Sequence, residues 1–88
     1  MDLMLATSKA GHDKKQVYVV VSQDDDFCYL ANGTTKTCSK PKKKKKIHLQ
    51  LIKNIPSDVL KEIEGLSTSD DISIKRILKV YNRRNKDV

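Results

Sequence analysis

Lys36-Thr-Cys-Ser-Lys-Pro-Lys-Lys-Lys-Lys-Lys-Ile-His-Leu-Gln-Leu51 is the stretch around which the chain is organised. Lys40 and Lys42 through Lys46 place six positive charges in seven positions, interrupted only by Pro41. Such a run ordinarily marks a solvated tail, because like charges repel and nothing apolar rewards ordering. Here the chain continues, and Ile47, Leu49 and Leu51 alternate with His48 and Gln50, the period of a strand. The lysines are therefore pinned inside a folded unit. Pinning lowers the entropic cost of presenting them as one patch, and a dense positive patch attracts polyanions.

Upstream, the strongest strand signal is Gln16-Val-Tyr-Val-Val-Val-Ser22, with Val17, Val19 and Val21 on one face and Tyr18, Val20 and Ser22 on the other. A weaker alternation covers Leu3 to Ser8. Between them Gly11-His-Asp-Lys-Lys15 reads as a tight turn. Asp24 to Asp26 break the second strand into a loop, and Phe27-Cys-Tyr-Leu-Ala31 follows as a third. Asn32-Gly33 signals a type I′ hairpin into a short fourth strand within Thr34 to Ser39. Pro41 favours a loop or an edge, and Ile47 to Ile52 is the fifth strand. Five short strands at close spacing predict a small, partly open barrel.

At Pro56-Ser57 the period lengthens to that of a helix. Ser57 is placed to cap a short helix over Asp58 to Glu64, with Val59, Leu60 and Ile63 inward and Gly65 as the stop. Thr68-Ser-Asp-Asp71 offers N-cap oxygens to a second helix carrying the apolar stripe Ile74, Ile77, Leu78 and Tyr81. The division expected is a barrel over residues 1–55 and a helical extension over 56–88, packed on it.

The 88 residues carry 18 Lys+Arg against 11 Asp+Glu, a formal net charge of +7. Up to Pro56 there are eleven Lys against five Asp; beyond it, seven Lys+Arg face six Asp+Glu, so the excess belongs to the first part. This balance favours a nucleic-acid partner over an acidic protein. No apolar run approaches a membrane span, and Met1-Asp-Leu-Met-Leu-Ala6 lacks the basic start and apolar stretch of a signal peptide, so a cytoplasmic location is expected. Cys28 and Cys38 are then expected to be reduced. Two Cys with the distant His12 and His48 make no zinc site, and Asp24 to Asp26 lack the spacing of a calcium loop. Nothing places a nucleophile beside a base; no enzyme, metal or cofactor is expected.

Ser8-Lys-Ala-Gly-His-Asp-Lys14 followed by the alternating strand Val17 to Val21 resembles the KOW motif, in which a Gly-containing loop lies between strands of an SH3-like barrel. The segment from Lys36 to Leu49 is similar to the small bacterial KOW-domain RNA-binding proteins, which are related to large-subunit ribosomal proteins of archaea and eukaryotes. The C-terminal part from Thr68 to Asn82 resembles the last helix of such proteins. Lys15 and Gln16 stand where relatives often carry Gly and a basic residue, and His12 where Arg is common. The resemblance implies an RNA-binding, ribosome-associated ribonucleoprotein component acting in translation, without enzymatic activity. Ribosomal RNA is the implied partner, with ribosomal proteins beside it and the chain itself a monomer.

The expected RNA contacts are Lys9, Gly11, His12, Lys14 and Lys15 in and around the first loop, and Lys36, Lys40, Lys42, Lys43, Lys44, Lys45 and Lys46 in and before the lysine run. Lysine binds phosphate as a point charge and does not read bases bidentately. Three rival readings remain at this level: a solvated charged loop without a partner, a protein-interaction module using the barrel or the Ile74 to Tyr81 helix face, and nonspecific DNA binding, which predicts equal affinity for duplex DNA and structured RNA.

Overall fold

The computed structural model describes residues 3–9 and 16–86, with side chains as far as residue 83. The loop expected at Gly11, His12, Lys14 and Lys15 lies outside the described residues. Five strands form one antiparallel sheet: β1 (Leu5–Ser8), β2 (Val17–Gln23), β3 (Phe27–Ala31), β4 (Lys42–Lys45) and β5 (Leu49–Ile52). Their order across the sheet is β4-β3-β2-β1-β5, so β4 and β5 are its two edges. A single 3-10 turn, Lys46–His48, joins those edges. Two helices follow, α1 (Ser57–Glu62) and α2 (Asp71–Lys86).

The sheet is not closed into a barrel, which corrects the fold class expected from the sequence: β4 and β5 do not pair. It is strongly coiled all the same. The Lys44 ammonium on β4 donates to the Ser8 hydroxyl on β1 at 3.2 Å. Two strands lie between β4 and β1. On a flat sheet those strands would stand about 14 Å apart, three spacings of ~4.8 Å, so the contact requires the sheet to curl.

Each face of the sheet carries its own packed cluster, which explains how so little apolar content yields a fold. On the inside of the curl, Ala6, Tyr18, Cys28, Leu30 and Leu49 pack together, flanked by Val20 and Leu51. The outer face is covered by the helices. There Leu3, Leu5, Val19 and Ala31 pack against Val59, Ile63, Ile74, Ile77, Leu78 and Val80. The valine alternation of β2 is thus used twice, with Val17, Val19 and Val21 towards the helices and Tyr18 and Val20 towards the curl. A shift of register between Val20 and Ser22 against β3 ends the alternation and bends the strand.

Three local expectations differ from the structure. The fourth strand is not in Thr34 to Ser39; it is the lysine run itself, and residues 32–41 form a loop. Asn32 does not enter a type I′ turn, because only Gly33 (φ 81°) and Gly65 (φ 88°) take positive φ among the described residues. Instead the Asn32 carboxamide oxygen accepts from the backbone N–H of Thr34 and of Lys36, both at 2.9 Å. Gly33 then passes so close to α2 that a Cβ there would lie 2.6 Å from the Asp71 carbonyl oxygen and from Lys75 Cγ. Further on, the Cys38 N–H donates to Asp71 Oδ1 at 2.8 Å, tying the loop to the start of α2.

Ile47 is the second departure. The alternation of Ile47, Leu49 and Leu51 starts the fifth strand at this residue; the 3-10 turn takes it out of phase and leaves it 71% exposed. The third concerns the cap of α1 alone, since α2 takes its cap from the expected Thr68 to Asp71 segment. Pro56 occupies the N-cap position of α1, Ser57 is its first helical residue, and no side chain caps it. The helix closes at Glu62, with Ile63 as C-cap. For α2, Asp70 caps the helix: its carboxylate accepts from the Ser73 N–H at 2.7 Å and from the Ser73 hydroxyl at 2.9 Å. Ile74, Ile77 and Leu78 are buried as the stripe predicted. An exposed Arg83–Glu62 ion pair links the two helices and adds little to stability at the surface.

Both cysteines carry free thiols, Cys28 buried and Cys38 half-buried. Burial raises the pKa of each thiol; at Cys38 the neighbouring Asp71 and Asp70 carboxylates raise it further. Both therefore stay protonated and unreactive near neutrality. In a native alkylation time course at neutral pH, Cys28 is expected to resist labelling, Cys38 to react slowly, and both to label at once in denaturant. Mass spectrometry counts the adducts, and a bridged pair that never labels would contradict this.

Candidate nucleic-acid interface

Lysine has low strand propensity, and four in succession supply no apolar face. What makes Lys42–Lys45 a strand is its partner. β3 offers a free ladder edge, and the register sets Phe27 opposite Lys45, Cys28 opposite Lys44, Tyr29 opposite Lys43 and Leu30 opposite Lys42. The pairing is extended beyond the strand by the Lys46 N–H, which donates to the Asp26 carbonyl at 2.9 Å. Lysine at a sheet edge also discourages edge-to-edge association, a use that requires no ligand.

Directly opposed residues share a face. Lys42 and Lys44 therefore lie with Leu30 and Cys28 on the inside of the curl, and both are half-buried. Lys43 and Lys45 lie with Tyr29 and Phe27 on the outside, and both are exposed. The run presents two lysines outward, about 7 Å apart along the strand, and turns two inward. No such division is visible in a row of identical residues.

Four more of the expected lysines, Lys9, Lys36, Lys40 and Lys46, fall at the two ends of this strand. At the β4 exit, Lys46 and His48 lie in the 3-10 turn, and the Lys9 N–H donates to the His48 carbonyl at 3.0 Å. With Lys44 reaching Ser8, this end gathers Lys9, Lys44, Lys46 and His48. At the entry, the Lys40 N–H is held by the Thr37 carbonyl and hydroxyl, each at 3.2 Å. Lys36 sits in the Asn32 turn, its carbonyl accepting from the N–H of Asn32 and of Gly33 at 2.8 and 3.1 Å. Lys36 and Lys40 thus belong to the loop fastened to α2. Lys9 and Lys46 belong to the other end.

Three aspartates at the β2–β3 turn oppose this charge. Asp24 Oδ1 accepts from the N–H of Asp26 at 3.0 Å and of Phe27 at 2.8 Å. Those backbone bonds, Phe27 first, hold its carboxyl below the usual value of 3.8. Asp24 is thereby a turn-forming residue, and the acidic tip bounds the lysine strand on the Phe27 side. Among the described residues no group of three His, Cys, Asp or Glu side chains could hold a metal ion, and no helix is long and apolar enough to cross a membrane.

Two residues outside the expected set belong to this surface. Tyr18 is buried and donates its hydroxyl to Gln16 Oε1 at 2.7 Å. Phe27 and Tyr29, by contrast, are half-buried and belong to neither packed cluster. The Lys43 ammonium sits 4.4 Å from the centre of the Phe27 ring. The signal in the sequence was two aromatic residues two apart on one strand, hence on one face. No protein-family model matches the chain, and no curated protein matches it significantly.

Proposed function

We propose that this chain is an RNA-binding protein of the KOW type, associated with the ribosome, that grips structured RNA by its phosphates. The observation that carries this is a strand of four consecutive lysines fixed at the edge of a folded sheet, with Lys9, Lys46, Lys36 and Lys40 at its ends. Ordering these side chains on a ladder removes much of the entropy that a free lysine tail would lose on binding. Neutralising phosphates then releases counterions, which drives association at low salt. Five short antiparallel strands in a coiled sheet, its two edges joined by one 3-10 turn, are what an SH3-like barrel left open on one side would present. Gly11, His12, Lys14 and Lys15, which follow Lys9 in sequence, complete the proposed set of RNA contacts. Neither a catalytic step nor a cofactor enters this function.

The protein-interaction alternative loses one of its two surfaces. Ile74 and Ile77 are fully buried against the sheet and Leu78 nearly so, which leaves that helix stripe no room for a partner. The experiment that tests the proposal is binding to ribosomal subunits and to duplex DNA of equal charge, across a salt series. Co-sedimentation at moderate salt that is lost at high salt, with weaker binding to duplex DNA, is the expected result. Equal affinity for both would reduce the chain to a nonspecific polyanion binder, and no association at low salt would remove RNA binding altogether.

A further inference from the structure

We infer that Phe27 and Tyr29 form a stacking platform for unpaired bases, so that the RNA segment held by this surface is single-stranded: a loop, a bulge or an end. The inference rests on the RNA-binding function proposed above and specifies what part of an RNA the site takes. Phe27, Tyr29 and Ala31 share one face of β3 by strand alternation. Ala31 belongs to the helix-covered cluster, whereas Phe27 and Tyr29 do not. Two rings thus remain half-buried on a rigid strand, about 7 Å apart, room for one base on each.

The lysines opposite them supply the charge. Phe27 is paired with Lys45 and Tyr29 with Lys43, both lysines exposed on the face that carries the rings, and the Lys43 ammonium reaches diagonally to the Phe27 ring. An aromatic platform with a cationic border fits a strand whose bases are turned inward and whose phosphates run along β4. A duplex, with its bases stacked on each other, offers these rings nothing. The contact of Lys43 with the Phe27 ring, at 4.4 Å, is worth only a few-fold in an equilibrium constant at an exposed site. A base can replace it while Lys43 swings to a phosphate. Tyr29 is steadied from the other side, its hydroxyl donating to Asp24 Oδ2 at a long 3.4 Å. Asp24 to Asp26 repel phosphate and keep the backbone of the RNA to the β4 side.

The test compares ligands on the unaltered chain. Affinity is measured for a 12-nucleotide RNA of A, C and U without self-complementarity, for a ribose-phosphate oligomer of the same length lacking bases, and for an RNA duplex. The RNA strand is expected to bind about a hundredfold more tightly than the baseless oligomer, about tenfold for each of two stacked bases, with the same salt slope, and more tightly than the duplex. Phe27→Leu and Tyr29→Leu should each remove about tenfold from the affinity for the RNA strand and nothing from that for the baseless oligomer. Tyr29→Phe, which keeps the ring and loses the hydroxyl, should bind as the unaltered chain does. Equal affinity for the strand and the baseless oligomer would overturn the platform while leaving phosphate binding intact. A base-dependent affinity that both Leu variants retain would overturn it by placing the bases elsewhere. Binding to neither oligomer at 50 mM salt would remove RNA binding, and the platform with it.

Discussion

Val19→Asp is expected to abolish the cooperative melting transition of this protein. Val19 has no exposed surface and sits where β2 meets α2, in one cluster with Leu5 and Ala31 of the sheet and with Ile74 and Ile77 of α2. The change removes about 1.5–3 kcal/mol of apolar burial and introduces a carboxylate with no cationic partner in that cluster. Burying it charged costs several kcal/mol; burying it neutral requires taking up a proton at pH 7. For 88 residues, at roughly 0.05–0.15 kcal/mol per residue, total stability is about 4–13 kcal/mol, so the penalty consumes most of it. A carboxyl forced into that site has a raised pKa when folded. Its penalty is therefore smallest below the unfolded value of about 3.9 and grows as pH rises through it. Val19→Ala leaves only a cavity and should cost about 2 kcal/mol with cooperativity retained. Circular dichroism melts at pH 4 and 7 read both variants. A native-like transition for Val19→Asp at pH 7 would mean that the core has been assigned to the wrong face.

The second large effect concerns the lysine strand. If Lys42 to Lys45 were equivalent phosphate contacts, replacing all four with Gln would make the slope of log K against log salt shallower by about three units, at ~0.7–0.9 per contact. Alternation on β4 divides the expectation. Lys43 and Lys45 are exposed on the outer face, so Lys43→Gln with Lys45→Gln should flatten the slope by about 1.4–1.8 units. If affinities at 1 M salt are unchanged, that lowers affinity about 25- to 60-fold at 0.1 M. Lys42→Gln with Lys44→Gln should flatten it much less, because Lys44 is engaged with Ser8 inside the curl. That pair should instead lower the melting temperature, since its contact fastens β4 to β1. Preference among RNAs should barely change in either case, because phosphate contacts position a protein without reading bases. Fluorescence anisotropy at four salt concentrations decides it. Unaltered slopes for both pairs would leave the lysines as guards of a sheet edge and nothing more.

Much of the frame is legible in the residues alone. The valine alternation of β2, the apolar run of β3 and the helical stripe of α2 each carry enough periodicity to fix their element and its buried face. The density of positive charge around Lys40 to Lys46 is equally plain. Its orientation is not. A row of identical lysines has no period, so nothing in it says which side chains turn inward or that it forms a strand at all. Asn32-Gly33 likewise carries a strong local turn signal, yet the chain there obeys Asp71 of α2, almost forty positions away, which holds Cys38 and leaves room only for a glycine at 33.

Local sequence determined the elements whose side chains differ in polarity from one position to the next, because burial selects among unlike neighbours. Tertiary structure decided the rest. The free edge of β3 made a strand of the lysines and set their register, and the helix cluster took Ala31 while leaving Phe27 and Tyr29 half-exposed beside them. Ladder hydrogen bonds belong to the backbone and are indifferent to side-chain pattern, so a strand formed by pairing alone has to be read from its partner.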